Sequence, residues 1–192
     1  MKRRGLQPPG AGLPPFEKFY LNIGFKIGTA ITSDDRAMQM FDGVSEKILQ
    51  FIEPVDVGVL SEQILVPRLQ GIEDSSRNWS VLMVLEHLNL VNRSINSTIR
   101  ELHGNRAPFG EVAIADYKPD LDVDAGVIDE FLETNRRYRN FVVSHKPLRT
   151  SIQHYHPWFG FLDGHQWHCL AAVHQRIHSR QIQKILTMHG IA

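Results

Sequence analysis

The chain has 192 residues, 42% of them hydrophobic and 22% charged, which suits one folded domain with its own core and excludes a chain disordered throughout. Its 21 basic and 21 acidic residues cancel, unlike the strongly basic balance of nucleic-acid binders. One cysteine, Cys169, rules out an intrachain disulfide, and no apolar run reaches the roughly 18 residues of a membrane-spanning helix.

Met1 to Arg4 is a charged start, but Gly5 to Pro15 holds four prolines and three glycines instead of the apolar stretch of a secretory signal. Residues 1–16 therefore read as a flexible, solvated arm, and residues 17–192 as a single domain. The expected location is the cytoplasm, with no nucleic-acid or membrane partner. Residues 18–31 are apolar but ambiguous between a short helix and an extended packing segment, and they are a plausible dimer-forming or capping segment.

Thr32-Ser33-Asp34-Asp35 offers hydroxyl caps followed by acids, a helix start. Ala37, Met38, Phe41, Val44, Ile48, Leu49 and Ile52 then recur at three- and four-residue steps until Pro54 stops the helix. Residues 53–79 form a long connection. A second helix starts after Ser80 and carries Val81, Val84, Leu85, Leu88, Val91, Ile95, Ile99 and Leu102 on one face, ending at Gly104. Residues 105–122 are polar and broken by prolines. A third helix runs from about Asp124 to Ser144 on Val127, Phe131, Tyr138, Phe141 and Val142, with Arg136, Arg137 and Arg139 on its wetter sides. After a loop over 145–163, a fourth helix runs from Asp163 or Gly164 to about Met188, and Gly190 ends it. Four amphipathic helices without alternating strand runs predict an all-α four-helix bundle, and its long connections predict that some cross the bundle or lid one end.

The anomaly is histidine: eight of the ten lie at 145, 154, 156, 165, 168, 174, 178 and 189. His174 and His178, spaced i, i+4, stack on the apolar face of the last helix. Two imidazoles in a core need partners, and a divalent cation satisfies both neutral rings at once. The bland reading is two part-buried histidines bonded to carbonyls. His87, on the inner face of the second helix, adds a third nitrogen; three protein ligands leave positions open for water or substrate, as catalytic zinc sites do. Gln175 follows His174, so the HExxH pattern of metalloproteases is absent. His165 and His168 are the rival ligands, two to three turns away, so all four cannot share one ion. His156 and Trp158 are candidates for the mouth of a site, or for a turn anchored by buried aromatics. Glu86 points about 100° away from His87 around its helix. Cys169 is a candidate nucleophile by residue type only, and no general acid or base is identifiable.

Trp79-Ser80-Val81-Leu82-Met83-Val84-Leu85-Glu86-His87-Leu88 resembles the tryptophan–serine opening and later histidine of the DinB-like (YfiT-like) four-helix-bundle metalloproteins. His174-Gln175-Arg176-Ile177-His178-Ser179-Arg180-Gln181 resembles the HxxxHxxQ signature of their last helix. His156-Pro157-Trp158-Phe159-Gly160 followed by Gln166-Trp167 is similar to an uncharacterised subgroup. The resemblance spans roughly residues 32–189. It implies that His87, His174 and His178 bind a divalent metal, nickel or zinc. It further implies a thiol-dependent S-transferase using a low-molecular-weight thiol, or a metal-assisted hydrolase, acting on a small molecule. The alternative is a non-catalytic interaction module, a homodimer whose metal is structural or absent. Labile water and open access mark the first, a closed and fully liganded ion the second.

Overall fold

The computed structural model describes residues 5–108, 110 and 112–191. The basic segment Lys2 to Arg4, expected as a soluble tail, lies outside them. The elements follow in chain order: α1 (Pro15–Ile31), α2 (Asp34–Ile52), α3 (Val57–Ser61), β1 (Ile64–Leu65), β2 (Asn78–Trp79), α4 (Val81–His103), α5 (Gly126–His145), β3 (His154–His156), β4 (Gly160–Leu162) and α6 (Gly164–Met188). β1 pairs antiparallel with β2, and β3 with β4, so two of the long connections carry short hairpin-like ladders.

Three of the long helices, α2, α4 and α6, begin where their caps dictate. Ser33 Oγ accepts the Arg36 amide at 3.2 Å, and Ser80 Oγ accepts that of Met83 at 3.1 Å. Asp163 and Gln166 form a reciprocal capping box at the start of α6, with bonds of 2.8 and 3.0 Å. The next residue has to be glycine. A Cβ on Gly164 would sit 2.4 Å from the Leu148 carbonyl oxygen.

α2, α4, α5 and α6 form the bundle. α6 packs on α2 and α4, and α5 packs on α4 and less extensively on α2. Two apolar clusters fill the interior. One joins Met38 and Phe41 of α2 to Ile99 of α4, Phe141 of α5 and Leu170 of α6. The other joins Ile48, Leu85, Phe131 and Ile182 from the same four helices. The start of α2 therefore meets the end of α4, the end of α5 and the start of α6. α2 and α6 run one way, α4 and α5 the other.

Between the clusters lies a buried polar layer with one residue from each helix. Asn92 Nδ2 donates to Asn135 Oδ1 at 3.0 Å and to Gln175 Oε1 at 2.9 Å. Asn135 Nδ2 donates to Ser45 Oγ at 3.2 Å, Gln175 also donates to that hydroxyl, and Ser45 donates to the Phe41 carbonyl at 2.8 Å.

Neighbouring parallel helices need a return connection as long as themselves, and residues 104–125 provide it between α4 and α5. This crossover descends along α4: Tyr117 OH bonds Ser94 Oγ at 2.8 Å, and the Asp120 amide donates to Glu86 Oε2 at 2.7 Å. The sequence expectation of a bundle-crossing loop holds here.

Residues 18–31, ambiguous in sequence, are helical from Pro15 onward. The ambiguity has a physical source: apolar side chains lie on both faces of α1. Phe25 is buried against Phe159, with ring centroids 4.5 Å apart, while Phe16, Phe19, Ile23, Ile27 and Ile31 face outward. Buried Glu17 accepts the Gly71 amide at 2.7 Å and pairs with Arg68. The segment before α1 is held by hydrogen bonds where a solvated arm was expected. The Gln7 amide donates to Asp74 Oδ2 and the Gly12 amide to Glu73 Oε1, each at 2.8 Å, and Leu13 is buried. The three arginines of α5 do occupy a wet face: Arg136 and Arg137 pair with Glu133, and Arg139 with Asp42.

The start of α6 is locked by two histidines. His165 Nδ1 donates to Asp34 Oδ1 at 2.6 Å and Nε2 to the Thr29 carbonyl at 3.0 Å. With both nitrogens donating, the ring is an imidazolium, and the Asp34 hydrogen bond raises its pKa to about 10. Burial works to raise the Asp34 pKa, but the His165 and Leu148 hydrogen bonds leave it lowered. His168 is kept neutral by burial; Nε2 donates to the Asp34 carbonyl at 3.0 Å, and Nδ1 accepts the Tyr138 hydroxyl at 2.7 Å.

Two outcomes follow from this bracing. Asn92→Leu strands Asn135 Oδ1 and Gln175 Oε1 in the core, at about 1–3 kcal/mol for each buried group left unpaired. The urea midpoint should fall at unchanged slope; an unchanged midpoint refutes the bracing role. His165 has a raised folded pKa, so its contribution is complete below the unfolded value of 6.5 and is lost as pH rises through about 10. Asp34 has a lowered one, so its contribution is present above 3.8 and is lost only in acid. Between pH 6.5 and 10 the wild-type melting temperature should fall more steeply than that of His165→Gln, and parallel curves would contradict the imidazolium assignment.

Candidate metal centre

The structure brings His87, His174 and His178 together and leaves His165 and His168 in the brace described above. One nitrogen from each of the three rings lies within 4.8 Å of the others. The Nε2 atoms of His87 and His174 are 3.1 Å apart. Tetrahedral zinc with bonds of 2.0–2.1 Å holds its nitrogens about 3.4 Å apart, so the three rings are spaced on the scale of one ion.

Each ring is supplied by a helix whose local sequence explains its place. His87 lies two turns into α4, after the Ser80 cap, and its face is the one carrying Val84 and Leu88 into the core. His174 and His178 flank Gln175, whose amide belongs to the polar layer, so that layer also sets the height of the two imidazoles in the bundle. Trp79, at the end of β2, backs the site. Its ring lies 5.1 Å from His87 and stacks on His178 at 6.2 Å.

Two of the three tautomers are set by partners outside the cluster. His87 Nδ1 donates to the Tyr117 carbonyl at 2.6 Å, which leaves Nε2 as a lone pair. Gln181 Nε2 donates to the Ser76 carbonyl at 2.8 Å, so its Oε1 faces His178 and accepts Nδ1–H at 2.8 Å. Orienting acceptors of this kind accompany most metal-ligating histidines. His174 Nδ1 is buried without a partner among the described residues. Burial lowers the His87 pKa to about 4. Burial, and then the neighbouring rings, hold His174 and His178 well below the ordinary value. Three neutral imidazoles with converging lone pairs are a borderline-soft donor set suited to zinc or nickel.

The rings line a cavity of about 510 Å³ under α1, within the size range of small-molecule sites. Its wall is mostly apolar: Leu21 and Phe25 of α1, Met40 of α2, Val91 and Ile95 of α4 and Leu170 of α6. Among the described residues, Lys118 and Glu73 are the charged ones on the cavity wall. Lys118 Nζ donates to Glu73 Oε2 at 2.6 Å and to Ser76 Oγ at 2.9 Å, and lies 5.4 Å from the Trp79 ring centroid. Glu73 accepts further bonds from the Gly10 and Gly12 amides and from Ser75. Burial opposes its ionisation, but Lys118 and these amides leave its pKa lowered, so it is a filled carboxylate and not a base.

The remaining sequence candidates find definite places. Glu86 anchors the crossover through the Asp120 amide. His156 and Trp158 line the cavity, and the His156–Gly160 turn is also anchored by aromatics, so both readings of that segment hold. His156 Nδ1 accepts the Trp158 amide at 3.1 Å, and burial lowers its pKa to about 3. Cys169 is buried on the cavity wall with Sγ 3.6 Å from His165 Nε2. Sequence reasoning missed Tyr117, Glu73 and Lys118. The Tyr117 contact runs through its carbonyl and leaves no mark in the residue type, whereas a polar cluster in a long connection was the one available signal for Glu73.

No family model matches the sequence, and no curated protein matches it. Solved structures do. TT2238, a four-helix bundle protein, is 23% identical over 78% of this chain and 96% of its own, with a TM-score of 0.51. YfiT from Bacillus subtilis, described as a probable metal-dependent hydrolase with an unusual four-helix bundle topology, is 16% identical over 98% of this chain and 97% of its own, with a TM-score of 0.57. At these identities the likeness concerns the backbone, and with the helix order already in hand it identifies the architecture: the chain folds as a YfiT-like four-helix bundle.

Proposed function

We propose that the chain is a divalent-metal-dependent enzyme acting on a small molecule, with His87, His174 and His178 as the protein ligands. The observation that carries this reading is the convergence of three neutral imidazoles, two of fixed tautomer, on the wall of a largely apolar cavity. A nickel or zinc ion held by three nitrogens keeps open positions and supplies a nucleophile at neutral pH, either hydroxide or the thiolate of a bound low-molecular-weight thiol. The surrounding residues suit chemistry in which no separate base is required. Glu73 is filled by donors, and His156 has one nitrogen committed to backbone. Tyr117 and Gln181 orient the imidazoles, α1 supplies one wall of the cavity, and the Lys118–Glu73 ion pair lies at its histidine end. S-transfer and hydrolysis are the two reactions this set supports; YfiT, described as a probable hydrolase, is a precedent for the second on the same backbone.

A second reading, a dimerising module, is favoured by the outer face of α1. Phe16, Phe19, Tyr20, Ile23, Ile27 and Ile31 form a stripe with no charged residue, and Phe16 and Ile31 are 78% and 81% exposed. An exposed apolar stripe of this length is the kind of surface that specific interfaces cover. A homodimer through this face is compatible with the metal site, which lies on the inner side of the same helix.

Two measurements test these readings. Elemental mass spectrometry on tag-free protein should find about one equivalent of nickel or zinc, lost in His87→Ala and in His178→Ala together with a lower melting temperature. Unchanged metal content in the variants, or none after reconstitution with nickel, zinc and manganese, refutes the assignment. Sedimentation should show a dimer that Ile23→Glu/Ile27→Glu converts to a folded monomer. A monomeric wild type, a dimer indifferent to the double change, or a stripe that binds lipid vesicles instead would overturn the α1 interface.

A further inference from the structure

α1 contains two glycines in its interior, Gly24 and Gly28, one turn apart on the cavity side. Glycine inside a helix costs about 0.5–1 kcal/mol relative to alanine, so its presence needs a reason. The two common reasons fail here. Neither residue has a left-handed backbone, and a Cβ built on either would meet nothing within 4 Å among the described residues. No neighbouring helix requires the bare backbone. What the missing side chains leave is room in the cavity.

A second observation points the same way. Trp167 lines this cavity, is 3% exposed, and its indole N–H has no partner among the described residues. Buried indole N–H groups ordinarily find an acceptor. A wall with unfilled space on one side and an unsatisfied donor on another is shaped for an occupant.

We infer that the cavity binds an anionic amphiphile, a molecule with a mainly apolar body and one carboxylate-type head, and that Gly24 and Gly28 set the length of body it accepts. The inference deepens the proposed function and rests on its placing the small-molecule site in this cavity. The head group is argued from charge. The donor rings are neutral, Lys118 is ion-paired with Glu73, and Glu73, the only carboxylate on the wall among the described residues, receives four donors. The Lys118–Glu73 pair is neutral as a unit, so the net positive charge at this end is that of a divalent ion held by three neutral rings, and an anionic head is what such an end would attract. The body is argued from the wall, where Leu21, Phe25, Val91, Ile95 and Leu170 offer apolar contact and no further charge.

The test is binding by calorimetry of straight-chain monocarboxylates from butanoate to decanoate, with octan-1-ol as the neutral control. Wild type is compared with Gly24→Ala/Gly28→Ala, and metal content is measured on the same samples. In wild type, affinity should rise with chain length, and octanoate should bind at least about tenfold more tightly than octanol. The double variant should keep butanoate within about twofold and lose at least about fivefold for the longest chains. Its melting temperature should meanwhile rise by about 2–4 °C, because alanine suits the helix better. A stability gain with a binding loss is a pair of signs that no packing role for the glycines gives. Equal affinities in the two proteins at every length, octanol binding as well as octanoate, or no binding of any carboxylate would each overturn the inference. Full metal with indifferent glycines overturns this inference alone. A metal-free protein that still shows the length effect overturns the metal reading alone.

Discussion

The structure depends on the buried hydrogen-bonded layer of Ser45, Asn92, Asn135 and Gln175. Apolar clusters above and below it supply most of the stabilisation, but apolar surfaces slide on one another at small cost. A polar layer does not slide: moving any helix by one residue strands amides in a core where each unpaired group costs about 1–3 kcal/mol. One side chain per helix is the smallest set that fixes all four registers. Because Gln175 sits between Trp167 and His178 on one continuous helix, the constraint that aligns α6 with its neighbours also aligns the imidazoles on it with His87. Fold register and site geometry are one quantity here.

Topology contributes the second constraint. Parallel α4 and α5 oblige the chain to return along the bundle, and the return path lies beside the histidines. The connection is therefore the supplier of the Tyr117 carbonyl, the Lys118 ammonium and the Asp120 amide. Metal-type sites need oriented acceptors around the ligands, and a helical bundle offers few, because its backbone carbonyls are consumed by the helices themselves. An irregular segment laid against α4 has carbonyls to spare.

Legibility in the sequence follows the range of the interactions. α2, α4, α5 and α6 were readable because caps and three-to-four-residue periodicity are local signals: Ser33, Ser80 and Asp163 lie at their predicted starts. The triad was readable because i, i+4 spacing survives as a pattern and His87 falls on an apolar face. α1 was not, since a helix apolar on both sides has no single stripe to detect. Nor were the roles of His165 and His168, which share their helix with His174 and His178 and differ only in what lies opposite: the start of α2 for one pair, open cavity for the other. Docking of residues 7–12 on Glu73 and Asp74 uses backbone amides, which every sequence possesses.

Glu73 ties together two stretches of chain that have little regular structure of their own, the segment before α1 and the crossover after α4. In electrical terms it is a shared counter-ion: the amides at Gly10 and Gly12 and the ammonium of Lys118 divide one negative charge. Detaching the N-terminal segment removes two donors from that carboxylate and leaves it more strongly committed to the lysine, so the field felt at the histidines is tuned from a part of the chain more than 60 residues distant in sequence. A purification tag or a proteolytic nick near Gly10 thereby becomes a perturbation of the cavity's electrostatics, even though the bundle beneath it keeps its shape.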